Sequence, residues 1–125
     1  MKKQAKTVLL VEDNRDLLEA VQILLEDADY TVLAVDNGDY VERLGKDNLP
    51  DIILLDMLLS GKDGRELARL LKSQEHTRNI PIILNSAHPQ AKDMWKESGA
   101  DDFVAKPFDI DTLLKAIQRN LHAIA

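Results

Sequence analysis

Three carboxylates follow directly after two short apolar runs. Asp56 ends the run Ile52–Leu55, and Glu12 and Asp13 follow the run Val8–Val11. If these runs are neighbouring strands, the acids meet at one sheet edge, where each close pair of carboxylates costs about 4 kcal/mol at an effective dielectric near 20. Protonation or a bound cation must offset that repulsion. Oxygen ligands without His or Cys favour a hard ion, and we expect Mg²⁺.

Two further polar residues follow the later apolar runs. Ser86 comes after the run 80–84, and Lys106 comes after the run 102–105. A hydroxyl, an ammonium and Mg²⁺ together bind the oxygens of a phosphoryl group, and a carboxylate such as Asp56 is then a plausible nucleophile that forms an acyl phosphate. The alternative is a set of helix caps and surface acids that merely share a sheet edge.

Strand-like and helix-like segments alternate five times along the chain. Strands are predicted at 7–11, 30–35, 51–56, 80–84 and 102–105, with a helical pattern after each. This alternation indicates the α/β class, with a doubly wound five-stranded parallel sheet and five helices. The order 2-1-3-4-5 fits the length and places the first and third strands side by side at the switch point, where ligands gather.

The first helix has two candidate apolar stripes. We expect the core-facing one to contain Leu17, Ala20, Val21, Leu24 and Ala28, which recur at a spacing of three or four residues. Leu18 and Leu25 then lie beside that stripe.

Composition narrows the class of protein. The 125 residues suit one domain, and the formal charge of −6 argues against the broad electrostatic grip that nonspecific DNA binding needs. The absence of cysteine excludes disulfides and thiolate zinc sites. No segment reads as a signal peptide or a membrane span, so we expect a cytoplasmic protein that binds neither membrane nor nucleic acid directly.

Four motifs together resemble those of a known family. Val-Glu12-Asp13-Asn, Leu-Leu-Asp56-Met, Asn-Ser86-Ala and Val-Ala-Lys106-Pro107-Phe resemble the receiver domain of two-component response regulators, in order and in spacing. The resemblance runs from about residue 6 to about residue 121. It implies a single receiver domain over 1–125, with a core at about 6–122, a flavodoxin-like fold and no attached output domain.

The resemblance implies a role for each acid. Asp56 would accept a phosphoryl group from a histidine kinase or a histidine phosphotransfer protein. Asp13 and Asp56 would ligate Mg²⁺ directly, with the backbone carbonyl of Leu58, and Glu12 would act on the ion through water. Such a protein is not a turnover enzyme, although it catalyses its own phosphorylation and slow dephosphorylation.

The resemblance also implies a switch. Ser86 and Lys106 would bind phosphoryl oxygens, the bond from Lys106 to Pro107 would be cis, and Phe103 would change rotamer on activation. The face formed by the fourth helix, the fifth strand and the last helix would then change shape and control a downstream protein of unknown identity. The alternative for Phe103 is a static core aromatic.

The sequence indicates less about partner contacts than about the sheet edge. Leu18, Pro107 and Phe108 form a candidate docking patch for the kinase, the alternative for Leu18 being an edge-of-core residue. We expect the oligomeric state to be a monomer or a phosphorylation-dependent homodimer. The rival functions are a phosphorylation-independent interaction module and an aspartyl phosphohydrolase. The phosphohydrolase is disfavoured because Leu58 stands where that class carries a second Asp.

Overall fold

The computed structural model describes residues 5–122 and contains a five-stranded parallel sheet. The strands occur in the order β2-β1-β3-β6-β7, which is the predicted order once the short β4 and β5 are set aside. The bounds of the sheet strands are β1 Thr7–Val11, β2 Thr31–Val35, β3 Ile52–Asp56, β6 Ile82–Ser86 and β7 Asp102–Ala105. Strands β4 (Leu58–Leu59) and β5 (Lys62–Asp63) form a small antiparallel ribbon between β3 and α3.

Within residues 5–122, four α-helices connect strands of the sheet and a fifth follows β7. Their bounds are α1 Arg15–Asp27, α2 Asp39–Glu42, α3 Gly64–Ser73, α4 Ala91–Met94 and α5 Ile110–His122. The fourth helix is a single α-helical turn that continues as a 3₁₀ turn over Trp95–Ser98, within the segment predicted to be one short helix. Gly99 then ends this segment with φ at +85°, a conformation that glycine adopts without steric cost.

Apolar residues on both faces of the sheet explain the doubly wound arrangement. In β3, Ile53 and Leu55 belong to a core cluster that includes residues of α2, α3 and α4. Ile52 and Leu54 belong to the opposite cluster, with residues of α1 and α5. Every residue of β3 is buried, as expected for a central parallel strand covered on both faces. Asp56 is therefore carried to the edge of the core by a fully buried strand.

The predicted core stripe of α1 is wrong by one residue. Leu18, Val21 and Leu25 are the buried residues of this helix, whereas Leu24 is 44% exposed. Leu17 and Leu24 belong to one stripe, and Leu18 and Leu25 belong to another. Both stripes satisfy helical spacing. The side chain of Asn14 accepts a hydrogen bond from the Leu17 amide at 3.1 Å and so begins the helix. Packing against the sheet then selects the stripe that contains Leu18.

Gly64, the first residue of α3, lies directly on the backbone that carries Asp56. A Cβ atom at Gly64 would lie 2.2 Å from the carbonyl oxygen of Asp56 and 2.8 Å from Cα of Met57. The Gly64 amide also donates to the Met57 carbonyl at 2.8 Å. The absence of a side chain therefore lets α3 begin against the segment that positions Asp56.

Asp102 joins the start of β7 to α5. Its carboxylate accepts hydrogen bonds from Nε of Arg119 at 2.7 Å, from Nδ2 of Asn120 at 2.8 Å and from the Phe103 amide at 2.8 Å. Burial acts to raise the pKa of Asp102, but the hydrogen bonds from Arg119, Phe103 and Asn120 outweigh it, and the pKa is lowered. The carboxylate is therefore stabilised in its charged form by the fold.

Within residues 5–122, the helices are all too short or too polar to cross a bilayer.

Replacing Gly64 with Ala is expected to lower the free energy of unfolding by at least about 2 kcal/mol, because the new methyl group forces the Asp56–Met57 backbone to move. Urea denaturation measures this. Gly45→Ala is the matched control, since a Cβ atom there meets nothing within 4 Å. Equal stability of the two variants would contradict the close approach.

Replacing Asp102 with Asn is expected to lower the free energy of unfolding by about 1 kcal/mol at neutral pH, because Arg119 loses its carboxylate partner. Because the folded protein lowers this pKa, the contribution is present above the unfolded value and is lost as pH falls through the folded value. The difference from wild type should therefore shrink in increasingly acidic solution. Urea titrations at several pH values test this, with Asp47→Asn, an exposed loop acid, as the control. A difference independent of pH would contradict the assignment.

Candidate functional site

The three acids predicted to meet at the sheet edge do so. Strands β1 and β3 are hydrogen-bonded neighbours, with Leu10 opposite Leu54 and Val11 opposite Leu55. Carboxylate oxygens of Glu12, Asp13 and Asp56 all lie within 4.8 Å of one another. Glu12 and Asp56 are nearly buried, at 4% and 6% exposure. Low access to water makes their mutual repulsion costly.

The ammonium of Lys106 lies between two of these acids. It donates to Oε1 of Glu12 at 2.6 Å and to Oδ2 of Asp56 at 3.0 Å. The preceding backbone supports this placement, because the Lys106 amide donates to the Ser86 carbonyl at 2.9 Å and extends the β6–β7 pairing. The bond from Lys106 to Pro107 is cis, as the resemblance implies.

The pKa values of Glu12 and Lys106 reflect two opposed effects. Burial disfavours the charged form of each group, and the hydrogen-bonded ion pair between them favours it. Burial raises the pKa of Glu12, and proximity to Asp56 raises it further, while hydrogen bonds from Lys106 and the Asn14 amide act against this. Burial acts to lower the pKa of Lys106, but hydrogen bonds to Glu12 and Asp56 outweigh it, and the pKa is raised. Lys106 therefore remains a cation at neutral pH.

Asp13 has a different set of contacts from those of Glu12 and Asp56. Its Oδ2 accepts from the backbone amide of Ser60 at 2.9 Å and from the Ser60 hydroxyl at 2.8 Å. Ser60 belongs to the turn between β4 and β5, so these bonds hold the segment after Asp56 against the segment after β1. Nothing in the sequence alone predicted this link.

The donor set fits a hard divalent cation. When ionised, Glu12, Asp13 and Asp56 carry three negative charges, and the ammonium of Lys106 balances only one of them. All the donors are oxygens, which suit Mg²⁺ better than metals that prefer nitrogen or sulfur. The Leu58 amide donates to Oδ1 of Asp56 at 3.1 Å, which fixes the orientation of that carboxylate. The role of the Leu58 carbonyl stays a prediction.

Ser86 lies at the end of β6, beside a small cavity. Its Oγ accepts a hydrogen bond from the His88 amide at 3.0 Å, which leaves the hydroxyl hydrogen available for donation. The cavity has a volume of about 170 Å³, and its lining includes Met57, Leu58 and Arg65 as well as Ser86 and His88. A phosphoryl group on Asp56 would therefore have a hydroxyl donor on the neighbouring strand.

Phe103 is half-buried and stacks on Trp95. The ring centroids are 6.3 Å apart, and the ring planes are inclined by 13°. Both rings pack against the core cluster that contains residues of α3 and α4. The resemblance implied a switch role for Phe103, but nothing in the sequence paired this residue with Trp95, because the two belong to different elements.

The candidate docking patch needs one correction. Leu18 is only 8% exposed and packs in the core, so it is not available as a surface contact. The neighbouring Leu17 instead lines a surface groove of about 340 Å³ together with Ala87, Lys106, Pro107 and Phe108. Pro107 and Phe108 therefore line a surface groove with Leu17 and not with Leu18, and docking of a partner there stays a prediction.

Comparison with known proteins agrees with this geometry. The family model described as response regulator receiver domain matches residues 8–118. The phosphate regulon transcriptional regulatory protein PhoB of Pseudomonas aeruginosa is 40% identical over 119 residues, which are 91% of this chain and 52% of that protein. Protein PilH of the same organism is 33% identical over 112 residues, which are 88% of this chain and 93% of that protein. The chain spans about half the length of the PhoB relatives.

Solved structures show the same fold. The receiver domain of a Pseudomonas aeruginosa sensor histidine kinase, determined with a magnesium ion coordinated in its active-site cleft, superposes with a TM-score of 0.86 at 30% identity, covering 94% of this chain and 98% of that one. The signal receiver domain of a histidine kinase from Syntrophus aciditrophicus gives a TM-score of 0.87 at 34% identity, covering 96% and 92%. The chain belongs to the response regulator receiver domain family of two-component systems, whose members are signalling switches and not classical enzymes.

Proposed function

We propose that this domain is switched by Mg²⁺-dependent phosphorylation of Asp56. The observation that carries the proposal is the meeting of Glu12, Asp13 and Asp56 with Lys106 at one sheet edge. The phosphoryl donor is a histidine kinase or a histidine phosphotransfer protein, which supplies phosphohistidine. In the reaction the P–N bond of the donor breaks, a P–O bond to Asp56 forms, and the imidazole leaves with the electron pair of the broken bond.

The residues of the chain act on the nucleophile and on the transferred group. The Leu58 amide and the Lys106 ammonium orient the two oxygens of Asp56. Mg²⁺, held by Asp13, Asp56 and the Leu58 carbonyl with Glu12 acting through water, would lower the repulsion between the carboxylates and the incoming phosphoryl oxygens. Lys106 then pairs with one phosphoryl oxygen, and Ser86 donates its hydroxyl hydrogen to another.

The structural response begins at Ser86. Phosphorylation replaces the single charge of the Asp56 carboxylate with a phosphoryl group that carries nearly two negative charges and three acceptor oxygens, which attract the Ser86 hydroxyl. The Ser86 hydroxyl accepts a hydrogen bond from the His88 amide, so movement of Ser86 displaces the segment that leads into α4. Phe103 then changes rotamer and leaves its stack on Trp95. The face formed by α4, β7 and α5 changes shape as a consequence, which is a two-state change biased by a local charge event.

The partners follow from this mechanism. The kinase or phosphotransfer protein docks near Leu17, Pro107 and Phe108, so that its phosphohistidine reaches Asp56. The downstream target is a protein that distinguishes the two shapes of the α4–β7–α5 face. We propose a cytoplasmic protein that catalyses only its own phosphorylation and slow dephosphorylation, without direct contact with nucleic acid, as a monomer or a phosphorylation-dependent homodimer.

The rival proposal is a receiver-like interaction module that works without phosphate. Such a module does not require the complete set of three acids, a hydroxyl and an ammonium, whereas all of these groups are present here. The buried, mutually repelling pair of Glu12 and Asp56 favours the phosphorylated switch, because a module without phosphate gains nothing from its cost.

Incubation with acetyl phosphate and Mg²⁺ is expected to add one phosphoryl group to the protein, measured by intact mass. Asp56→Asn should remain unlabelled, because the amide is not a nucleophile, and omission of Mg²⁺ should abolish labelling of the wild type. Labelling should also change Trp95 fluorescence, since Phe103 leaves the stack. A wild type that binds Mg²⁺ but is never labelled by acetyl phosphate or by phosphohistidine donors would favour the interaction module.

A further inference from the structure

Asn85 is a buried polar residue without a hydrogen-bond partner for its side-chain oxygen. It is 4% exposed, and its Oδ1 accepts no hydrogen bond within the part of the chain that the structure describes. Buried amide oxygens are nearly always paired, and an exception requires an explanation, often a functional one. The residue stands in β6, in a strand that is otherwise apolar up to this position.

The sheet register places Asn85 beside Asp56. Asp56 and Asn85 are directly opposite one another on the paired strands β3 and β6. Side chains of opposed residues project from the same face of a sheet. The pair Leu54 and Ile83, two positions earlier on each strand, lies in the core cluster of α1 and α5. Asp56 and Asn85 therefore project from that same face, next to one another.

Lys106 has to cross β6 to reach Asp56. Lys106 follows β7, which pairs with β6, and β6 lies between β7 and β3. The Lys106 ammonium nevertheless contacts Asp56 on β3 and Glu12 after β1. The side chain thus passes over β6 at the level of its last residues, where Asn85 is located. An ammonium has three N–H donors, and the two carboxylates accept only two of them.

We infer that Asn85 is a positioning residue for phosphoryl transfer, whose side-chain carbonyl accepts a hydrogen bond from the Lys106 ammonium as that ammonium passes from the Asp56 carboxylate to the phosphoryl group. This inference rests on the proposed phosphorylation of Asp56. Once an oxygen of Asp56 is bonded to phosphorus, the carboxylate that now attracts Lys106 has lost its charge. A neutral acceptor beside it keeps the ammonium near the new phosphoryl oxygens without adding a further negative charge to the site.

Asn85→Leu tests the inference, because leucine has a similar size and removes both polar groups of the amide. The rate of labelling by acetyl phosphate and Mg²⁺, followed by intact mass, should fall by about tenfold, the effect of losing one hydrogen bond to a charged group. The thermal unfolding midpoint should equal or exceed that of the wild type, since an unpaired buried oxygen is replaced by an apolar group. Asn85→Ala is the second variant and should also slow labelling.

A double-mutant cycle separates positioning of Lys106 from a merely structural role. In a Lys106→Met background, Asn85→Leu should change the labelling rate by less than about twofold, because the residue through which Asn85 acts is gone. Additive effects of the two substitutions would overturn the inference. An unchanged labelling rate in both Asn85 variants, with normal labelling of the wild type, would also overturn it and leave the proposed function intact. A wild type that is not labelled would overturn both.

Discussion

The electrostatic balance among Glu12, Asp13, Asp56 and Lys106 is the constraint on which the rest of the structure depends. Three carboxylates within 4.8 Å of one another are opposed by a single ammonium, and two of the acids are nearly withdrawn from water. The raised pKa values of Glu12 and Lys106 both express this arrangement. A site with this excess of negative charge gains stability from a divalent cation and from any group that brings further positive charge to it.

The fold makes this balance possible by its strand order. Adjacent placement of β1 and β3 brings the acids together, and β6 and β7 continue the same edge toward Ser86 and Lys106. Burial of β3 on both faces anchors Asp56 in a fully buried strand, and Gly64 allows α3 to begin against its backbone. The segments that we propose respond to phosphate are a single α-helical turn at α4 and the half-buried Phe103 in β7. A rigid acceptor and a less constrained neighbouring face suit a switch.

Much of this arrangement was predictable from the sequence, because parallel strands that alternate with helices put their carboxyl ends at one edge. The meeting of Glu12, Asp13 and Asp56 follows from that rule once the first and third strands are neighbours, as they are in the doubly wound order that fits the length of the chain. The phase of α1 was not predictable, since Leu17 and Leu18 belong to two stripes of equal spacing and only packing against the sheet decides between them. The stack of Phe103 on Trp95 depends on contacts between separate elements, which no local pattern encodes.

Asn85 is another residue whose place in the site could not be predicted from the sequence. A single polar residue in an apolar run reads as the end of a strand, and only the register reveals that it lies beside Asp56. Its unpaired oxygen and the bonds from Ser60 to Asp13 are properties of the assembled site.

The measurement that tests the central claim most directly is the thermal unfolding midpoint as Mg²⁺ is added. A cation that binds only the folded state stabilises it by about 2.7 kcal/mol at a hundred times its Kd. The wild-type midpoint should rise with Mg²⁺, and Asp56→Asn should begin at a higher midpoint, because one repelling charge is gone, and should respond less. A wild type whose midpoint is unchanged by millimolar Mg²⁺, or an Asp56→Asn variant that responds as strongly as the wild type, would contradict a Mg²⁺ site at these carboxylates.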